Sequence, residues 1–447
     1  MFDYQRRLAA RAEPVRVGLV GAGTFGAGLA DQLSAVDGVT VAGVADIEVD
    51  KARRLLRGAG ATDVTTADDE RAVRDAVAAG RPVVTDDAVA LVRSDVDVVV
   101  EATGIPNAAA RHAYEAILAD THVVMATVEA DTVVGPALAE LADRAGVVYS
   151  LAYGDQPALT VELVEWARGV GFEVVAAGQG REFVDADRYG TPDDALERFG
   201  FDEAYLAEND PNPRLYNSFM DGTKIAVESC AVANAAGLPP DTPGMHMPTA
   251  EVADLPDVFR PESSGGVLSS TGVVDVASFV HPDGTATETG FPFGVFVVVR
   301  GPTERVRRHL HAGIGGGAGV VTSDDGEYAL FHRPFHLPGV ETGRSVAAAA
   351  LDGRATGVAS RRVAETVAAA KRDLTPGETI DGGGGTTVYG LVEEADDAAA
   401  GDHVPLELLD DAEVVRPVER DAVVTYDDVA LDDDSFLRRL RRLDDAR

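Results

Sequence analysis

Cysteine and long apolar runs are the first features that this sequence of 447 residues lacks. Its single cysteine, Cys230, excludes an internal disulfide framework and any zinc site built from cysteines. No apolar run reaches the roughly 18–20 residues that a membrane-spanning helix requires. The segment before the first predicted strand has no apolar stretch typical of a signal peptide. We therefore expect a cytoplasmic protein.

Positive charge is also scarce, and lysine is the scarcest carrier of it. The chain has 75 acidic and 39 basic residues, a formal net charge of −36, and its only lysines are Lys51, Lys224 and Lys371. So negative a chain repels nucleic acid and anionic membranes, and we expect neither as a partner. We interpret the acidity as adaptation to concentrated salt, where screening over about 3 Å removes self-repulsion. The expected partner is a small-molecule substrate.

The order of apolar runs and helical patterns predicts three domains. In residues 1–155, valine-rich strands alternate with helical stretches, which favours an α/β fold with a Rossmann-type doubly wound parallel sheet. The strands are predicted at 15–20, 39–46, 95–103, 121–127 and 146–153. Residues 156–358 predict an α+β domain around a separate sheet, with a loop at the glycine-rich tract 311–320. A helix predicted at 359–370 opens a β-rich third segment, 359–447, which ends in a charged helix.

The segment VGLVGAGTFG follows the first predicted strand and opens a helix. Gly21, Gly23 and Gly26 have G-x-G-x-x-G spacing, which permits a tight turn, close approach of a pyrophosphate, and close packing of helix on strand. The N-terminus of the helix offers unpaired N–H groups to the phosphate. We therefore predict a nicotinamide dinucleotide site that includes Thr24 and Phe25. The alternative is a tight turn in an α/β domain that binds another ligand.

Asp46 ends the second predicted strand, 20 residues after Gly26, where an acidic side chain can bind the adenosine ribose. A carboxylate at this position favours NAD over NADP because it repels a 2′-phosphate. The basic residues Lys51, Arg53 and Arg54 follow closely and oppose that preference. The sequence leaves the choice between NAD and NADP open.

Polar residues follow three of the predicted strands, and in open parallel sheets ligands bind at the carboxyl ends of strands. Thr103 and Gly104 are predicted to line the nicotinamide side of the cofactor. The candidates for facing a substrate are Glu129, Asp131, Asp155 and the neighbouring Gln156. The alternative for the acidic residues is helix capping, because Asp and Glu are common in first helical turns.

Lys224 lies between two acidic residues in the segment DGTKIAVESC. On a helix predicted for 219–236 and ended by Gly237, Asp221, Lys224 and Glu228 share one narrow face. A lysine in a dry site between carboxylates can have its pKa tuned for proton transfer. Hydride transfer from an alcohol to NAD(P)+ requires such a proton carrier. We predict these three residues as catalytic and expect the Lys224 amine beside the nicotinamide.

The alternative for Lys224 is an ordinary i, i+4 ion pair with Glu228, which stabilises a helix by a few tenths of a kcal/mol. Arginine would serve equally in such a pair, and this chain uses arginine elsewhere. Arginine cannot lose its proton at working pH, whereas lysine can. This difference favours the catalytic interpretation.

Two histidines lie four residues apart in FHRPFH. His332 and the adjacent Arg333 are predicted to hold an anionic group of the substrate. A metal bound by His332 and His336 is the alternative.

Several segments resemble homoserine dehydrogenase-like oxidoreductases that carry a C-terminal SAF domain, a group that includes the deoxyxylulose-phosphate reductoisomerase-like (DRL) enzymes. They are EATG, HVVMATVEAD, GQGREF, NSFMDGTKIAVESCAVANAAGL, RPFHLPGVET and AKRDLTPGETIDGGGGTTVYGL. The resemblance covers essentially the whole chain. It implies an oligomeric NAD(P)-dependent oxidoreductase that acts on a CH–OH group of a small polar substrate. It also implies that the middle domain serves catalysis and oligomerisation and that the third segment is a SAF domain.

The chain departs from the homoserine dehydrogenase pattern at one position. These enzymes carry a lysine after the strand matching 121–127, where this chain has Glu129, which we include among the catalytic candidates. Proton transfer could therefore have passed to Lys224. Reductoisomerase chemistry would require a divalent metal, for which Asp155, Glu129 and Glu228 could supply oxygen ligands.

Three functional hypotheses remain open. The first is hydride transfer to or from a hydroxy-carbonyl, sugar-acid or sugar-phosphate substrate, with or without rearrangement of the carbon skeleton. The second is a homoserine dehydrogenase-like step in amino-acid metabolism. The third is a dinucleotide-sensing protein without turnover.

Overall fold

The computed structural model describes residues 3–202, 206, 211–313 and 320–445. It forms two compact units, each assembled from separate segments of the chain. The first consists of Met1–Leu159, Leu337–Ser360 and Asp434–Arg447, and the second of Thr160–His336 and Arg361–Asp433. Within the described ranges, no helix is both long enough and apolar enough to cross a bilayer.

Strands and helices occur in both units. The strands are β1 Val15–Val20, β2 Val39–Ala45, β3 Thr65–Thr66, β4 Val83–Thr85, β5 Val98–Glu101, β6 His122–Met125, β7 Tyr149–Leu151, β8 Glu173–Arg181, β9 Val273–Ser278, β10 Val295–Arg300, β11 Val321–Thr322, β12 Tyr328–Arg333, β13 Ala364–Ala370, β14 Val388–Glu394, β15 Glu413–Val414 and β16 Val429–Ala430. The helices are α1 Tyr4–Ala9, α2 Thr24–Ser34, α3 Val49–Gly58, α4 Glu70–Ala78, α5 Ala88–Val92, α6 Pro106–Leu118, α7 Val128–Ala145, α8 Gln156–Gly169, α9 Pro192–Arg198, α10 Pro213–Met220, α11 Thr223–Ala236, α12 Leu255–Val258, α13 Glu304–Ala312, α14 Gly343–Asp352, α15 Ala395–Ala400 and α16 Phe436–Asp445.

The first unit is built on a parallel sheet with strand order β3-β4-β2-β1-β5-β6-β7. The order reverses between β1 and β5, which is where ligands bind in doubly wound sheets. Its strands are short valine-rich runs that are buried on both faces, as a covered parallel sheet requires. Each of the five strands predicted for this region is present, and the predicted doubly wound sheet is confirmed. α14 adds Val346, Ala347 and Ala349 to the core of this unit.

The second unit contains a mixed sheet with strand order β11-β12-β10-β8-β9. β8 and β9 are parallel, and the other neighbours are antiparallel. α11 is buried along most of its length and contributes Ile225, Cys230 and Ala233 to the core of this unit. The loop predicted for 311–320 falls mostly outside the described residues.

The helix predicted at 359–370 is wrong, because Ala364–Ala370 forms strand β13. Its alanines favour a helix in isolation. All seven residues are buried, however, and β13 pairs antiparallel with β14 along its whole length. Tertiary pairing therefore overrides local propensity in this segment.

The single helix predicted for 219–236 is also wrong. α10 ends at Met220, and Gly222 adopts a left-handed conformation with φ of +89° before α11 begins at Thr223. Glycine takes this conformation without the steric penalty of a β-carbon. Asp221 lies in the break, where its carboxylate accepts a hydrogen bond from the Thr223 N–H at 2.9 Å. Asp221 is thus not on the helix that carries Lys224.

Trp166 of α8 is the only tryptophan of the chain and belongs to an aromatic cluster of the second unit. Its ring packs edge-on against Phe331 and Phe172, with centroid distances of 4.7 and 5.9 Å. It is 42% exposed.

Candidate active site

The glycine loop after β1 is shaped by two close backbone contacts. Gly21 has φ of +103°, and a β-carbon there would lie 2.4 Å from the carbonyl oxygen of Ala102. A β-carbon on Gly26 would lie 2.3 Å from the Gly21 carbonyl oxygen. Neither position accepts a side chain, so the predicted roles in turn formation and helix–strand packing agree with the geometry.

Gly23 is the N-cap residue of α2, and Thr24 and Phe25 form the first turn. No described atom lies within 4 Å of the place where a Gly23 β-carbon would stand. The N-cap residue also makes no side-chain hydrogen bond to the helix. Open space beside uncapped N–H groups suits a pyrophosphate, so these residues fit a dinucleotide.

Asp46 joins the glycine loop to the turn after β2. Its carboxylate accepts hydrogen bonds from the backbone N–H groups of Ala22, at 2.7 Å, and Glu48, at 2.8 Å. These bonds hold the carboxylate beside the glycine loop. Its position is the one expected for a side chain that binds the adenosine ribose.

The basic residues of α3 have acidic or polar neighbours within the same unit. Lys51 Nζ lies 3.9 Å from a Glu48 carboxylate oxygen. Arg53 Nε lies 3.6 Å from Asp50, and an Arg53 Nη donates to the Thr66 hydroxyl at 2.6 Å. Both cations therefore have local partners beside the predicted ribose site.

Glu101, at the end of β5, connects the loop predicted to line the nicotinamide with the loop that follows β6. Its buried carboxylate accepts hydrogen bonds from the hydroxyls of Thr103, at 2.6 Å, and Thr127. The Thr127 oxygen accepts the N–H of Gly104 at 3.0 Å, and His112 Nδ1 lies 3.3 Å from Glu101. This role of Glu101 was not predicted from the sequence. The only feature of the sequence that indicates it is an acidic residue at the end of an otherwise apolar strand.

The other predicted residues of the first unit lie at the starts of α7 and α8. Glu129 is half-buried in the first turn of α7. Asp155 precedes α8, and its carboxylate accepts the N–H of Gln156 at 3.0 Å. Gln156 is buried.

Asp131 is fully buried and hydrogen-bonds with Tyr149 of β7. The tyrosine hydroxyl donates to one carboxylate oxygen at 2.9 Å, and the other oxygen has no hydrogen-bond partner among the described residues. Burial raises the pKa of Asp131 to about 7, although the hydrogen bond from Tyr149 opposes the shift. Asp131 is thus part of the interior of the first unit.

We expect Asp131→Asn to stabilise the first unit at pH 8. Because the folded pKa of about 7 lies above the usual value of 3.8, the folded state holds the proton more tightly than the unfolded state. Wild-type stability should fall by roughly 4 kcal/mol as the pH rises from about 4 to about 7. The stability of the asparagine variant should not fall over this pH range. Thermal and denaturant unfolding would measure the stability of both proteins.

The exposed Asp143→Asn on the same helix is the matched control and should retain the wild-type pH dependence. An unchanged pH dependence in Asp131→Asn would contradict the assignment.

Lys224 lies on α11 of the second unit, with its side chain only 12% exposed. Its Nζ is 4.0 Å from one carboxylate oxygen of Glu228. The other oxygen of Glu228 accepts a hydrogen bond from the buried Arg181 of β8, which also bonds to Gln179 at 3.1 Å. The carboxylate is therefore shared between a guanidinium and an ammonium.

Asp221 belongs to a different cluster, formed around Lys371. The Lys371 ammonium is 3% exposed and donates to the Asp221 carboxylate at 2.8 Å. It also donates to the carbonyl oxygens of Gly190 and Gly385, both at 2.7 Å. All three donors of this lysine are used, which indicates a structural ion pair. The prediction that Asp221 acts together with Lys224 is not supported by this arrangement.

His332 and Arg333 end strand β12. The imidazole of His332 stacks on Phe291 with ring centroids 4.8 Å apart, and partial burial lowers its pKa. The Arg333 guanidinium lies over the Phe335 ring, 4.4 Å from its centroid. His336 Nδ1 lies 2.6 Å from the Phe293 carbonyl oxygen.

The geometry does not favour the divalent metal considered as an alternative. Among the described residues, no group of three or more His, Cys, Asp or Glu side chains is placed to hold an ion. The Glu228 carboxylate, one of the three suggested ligands, is already held by Arg181. The residues do not fit a divalent metal, and none enters the function proposed below.

Three family models match successive parts of the chain. The NAD binding domain of homoserine dehydrogenase matches residues 21–151, the catalytic domain of oxidoreductase DRL matches 154–342, and the SAF domain matches 365–430. The chain has the domain set of a DRL-like oxidoreductase. The resemblance and the α/β fold class predicted from the sequence are thereby confirmed. The chain is an oxidoreductase with a domain of the NAD-binding type.

Several solved structures are similar to this chain at low identity. A probable dehydrogenase from Thermotoga maritima is 13% identical, covering 64% of this chain and 72% of that one, with a TM-score of 0.33. GenD2 from gentamicin A biosynthesis, in complex with NAD, is 17% identical, covering 77% and 88%, with a TM-score of 0.35. 1-Deoxy-D-xylulose 5-phosphate reductoisomerase from Zymomonas mobilis, in complex with NADPH, is 14% identical, covering 49% and 58%, with a TM-score of 0.32. No curated protein matches the sequence.

Proposed function

We propose that this DRL-like oxidoreductase transfers hydride between a nicotinamide dinucleotide and a small hydroxy-carbonyl, sugar-acid or sugar-phosphate substrate. One observation carries the proposal: Lys224, one of only three lysines, is largely buried beside Glu228 within the segment that matches the DRL catalytic domain. A titratable amine in a dry, charged site is suited to proton transfer.

The bound nicotinamide would supply or accept the hydride. Oxidation of a CH–OH group also releases the hydroxyl proton, which the neutral amine of Lys224 can take up. In the reverse direction the Lys224 ammonium returns the proton to the carbonyl oxygen.

Glu228 is placed to position Lys224. One oxygen of its carboxylate lies 4.0 Å from the Lys224 Nζ, and the other accepts a hydrogen bond from Arg181.

We also propose that Arg333 and His332 bind an anionic group of the substrate. The guanidinium of Arg333 is oriented by stacking on Phe335, and guanidinium groups match carboxylates and phosphates in geometry. The lowered pKa of His332 leaves its ring neutral at pH 7, so it would act as a hydrogen-bonding group.

A screen of sugar acids, ketose phosphates and homoserine for absorbance change of the reduced nicotinamide would test the function. Turnover of a hydroxy-carbonyl or sugar derivative is expected. Preferential turnover of homoserine would favour the homoserine dehydrogenase-like alternative. Binding of NAD(P)H without turnover of any compound would favour a sensing protein.

For the cofactor, we propose a preference for NAD that is set by Asp46. Its carboxylate is fixed beside the glycine loop, and the nearby Lys51 is close to Glu48 rather than isolated. We expect Asp46→Asn to raise the affinity for NADPH relative to NADH by about 10-fold or more, because a charged contact contributes roughly 1.5–3 kcal/mol. Isothermal titration calorimetry with both cofactors would measure the ratio.

Asp50→Asn, which removes an acidic charge from the first turn of α3, is the matched control and should change the ratio little. An unaltered ratio in Asp46→Asn would show that this carboxylate does not contact the adenosine ribose.

A further inference from the structure

We infer that His336 and Arg181 bind two neighbouring oxygens of the substrate, so that the site selects compounds with a hydroxyl next to the reacting carbon. This specificity rests on the proposed function, since it concerns the substrate of the same reaction. Both residues lie beside Phe293, whose ring centroid is 6.2 Å from that of His336 and 5.7 Å from the Arg181 guanidinium carbon.

The hydrogen bond between His336 and Phe293 defines the tautomer of the imidazole. Nδ1 lies 2.6 Å from the Phe293 carbonyl oxygen. A carbonyl oxygen only accepts hydrogen bonds, so Nδ1 must carry the hydrogen. In the neutral ring, Nε2 then has a free lone pair and can accept a hydrogen bond from a hydroxyl.

The backbone of Phe293 is held in a conformation that few side chains adopt. Its φ is +69°, in the left-handed region. The Phe293 N–H donates to the Gly180 carbonyl at 2.9 Å, and the Gly180 N–H donates to the Gly294 carbonyl at 3.0 Å. A β-carbon on Gly180 would lie 2.4 Å from the Phe291 carbonyl oxygen. Strained residues held in this way are concentrated at ligand sites, and here the strain accompanies the hydrogen bond to His336.

Arg181 supplies a buried donor. The residue is 4% exposed, and its Nε–H has no hydrogen-bond partner among the described residues. Its other contacts hold the side chain in place, because Nη2 donates to both Gln179 and Glu228. A buried unsatisfied donor is costly unless a ligand or water completes it. A carbonyl or alkoxide oxygen of the substrate would complete it.

Burial lowers the pKa of His336 and leaves its ring neutral near pH 7, and three charged groups modify this effect. They are Glu228 on α11, Arg181 on β8 and Arg333 at the end of β12. Burial lowers the pKa of His336, the two arginines lower it further, and Glu228 opposes them. A neutral acceptor beside a cationic donor suits a hydroxyl beside a carbonyl.

The decisive experiment compares probe pairs that differ only in the neighbouring hydroxyl: hydroxyacetone with acetone, and glycolaldehyde with acetaldehyde. Sites built to bind a hydroxyl discriminate strongly against analogues that lack it. Wild-type kcat/KM for reduction with NADH or NADPH should favour the hydroxylated member by about 100-fold or more. The variant His336→Asn should bring this ratio close to one, because it removes the acceptor that binds the neighbouring hydroxyl.

Asparagine is chosen because its amide can still donate to the Phe293 carbonyl, whereas the acceptor at the Nε2 position is lost. His309→Asn, on the exposed surface of α13, is the matched control and should retain the wild-type ratio. A His336→Asn variant that folds and keeps the ratio overturns the inference.

A second measurement separates this inference from the proposed function. The chain has nine histidines, so nitrogen-15 labelling of histidine allows the His336 signals to be assigned by their loss in His336→Asn. The Nδ1-protonated tautomer is expected, with Nε2 shifted more by hydroxyacetone than by acetone. If the wild type reduces none of the probes, the proposed function fails for these compounds. The inference would then be judged by these spectra, and the other tautomer or equal shifts would overturn it.

Discussion

Replacing Lys224 with arginine is expected to reduce kcat by about 10²–10⁴-fold, the range in which general acid–base groups contribute. The guanidinium preserves the positive charge beside Glu228 but cannot lose its proton at working pH. The dissociation constants for NADH and NADPH should stay near the wild-type values, because the predicted dinucleotide residues belong to the first unit. Stopped-flow kinetics and calorimetry would measure the two effects separately.

Chemical rescue supplies the control for this prediction. Lys224→Ala leaves space at the amine, and added ethylamine should restore part of the activity in proportion to its unprotonated fraction. The wild type measured in the same amine should not be accelerated. Full activity in Lys224→Arg would contradict a role in proton transfer and would leave the ordinary ion pair with Glu228 as the explanation.

We expect Lys371→Met to destabilise the second unit by about 3–5 kcal/mol, the usual effect of breaking one partner of a buried ion pair. The substitution leaves the Asp221 carboxylate buried without its ammonium and removes donors from the Gly190 and Gly385 carbonyls. Burial already raises the pKa of Asp221, and the Lys371 charge is the largest of the contributions that oppose this shift. Denaturant unfolding at pH 7 would measure the loss.

Lys51→Met is the matched control, because the Lys51 side chain is far more exposed than that of Lys371. Surface substitutions usually change the free energy of unfolding by no more than about 0.5 kcal/mol. The double variant Asp221→Asn and Lys371→Met should be less destabilised than the sum of the single changes, since the two side chains interact directly. A loss below about 1 kcal/mol in Lys371→Met would show that the pair is not a main source of stability.

The dinucleotide domain was predictable because its signals are local. Gly21 is required by its positive φ, and Gly26 by a contact with the Gly21 carbonyl in the same turn. The buried strands are recognisable from their valine-rich composition. The sequence also predicted the end of α11 at Gly237, which adopts the left-handed conformation.

The errors in the fold arose where a local pattern competed with a distant contact or a single glycine. The alanines of β13 favour a helix, but pairing with β14 makes them a strand. Gly222 separates Asp221 from α11, although the surrounding sequence continues a helical pattern.

The rest of the site depends on contacts between residues far apart in the chain. Arg181 and Glu228 meet across 47 positions, and His336 and Phe293 across 43. No spacing rule predicts such pairs. The scarcity of lysine indicated a special role for Lys224, and the same argument applies to Lys371. Lys371 is the more deeply buried of the two.

The solitary indole of Trp166 gives the second unit its own optical reporter. Fluorescence emission excited at the indole band arises from the unit that contains Lys224 and His336, whereas circular dichroism registers both units. If the two units unfold at different temperatures, the emission curve will separate from the dichroism curve, since coincident transitions are the mark of a single cooperative step. The stability of the proposed catalytic unit can thus be followed in the intact chain without adding a label.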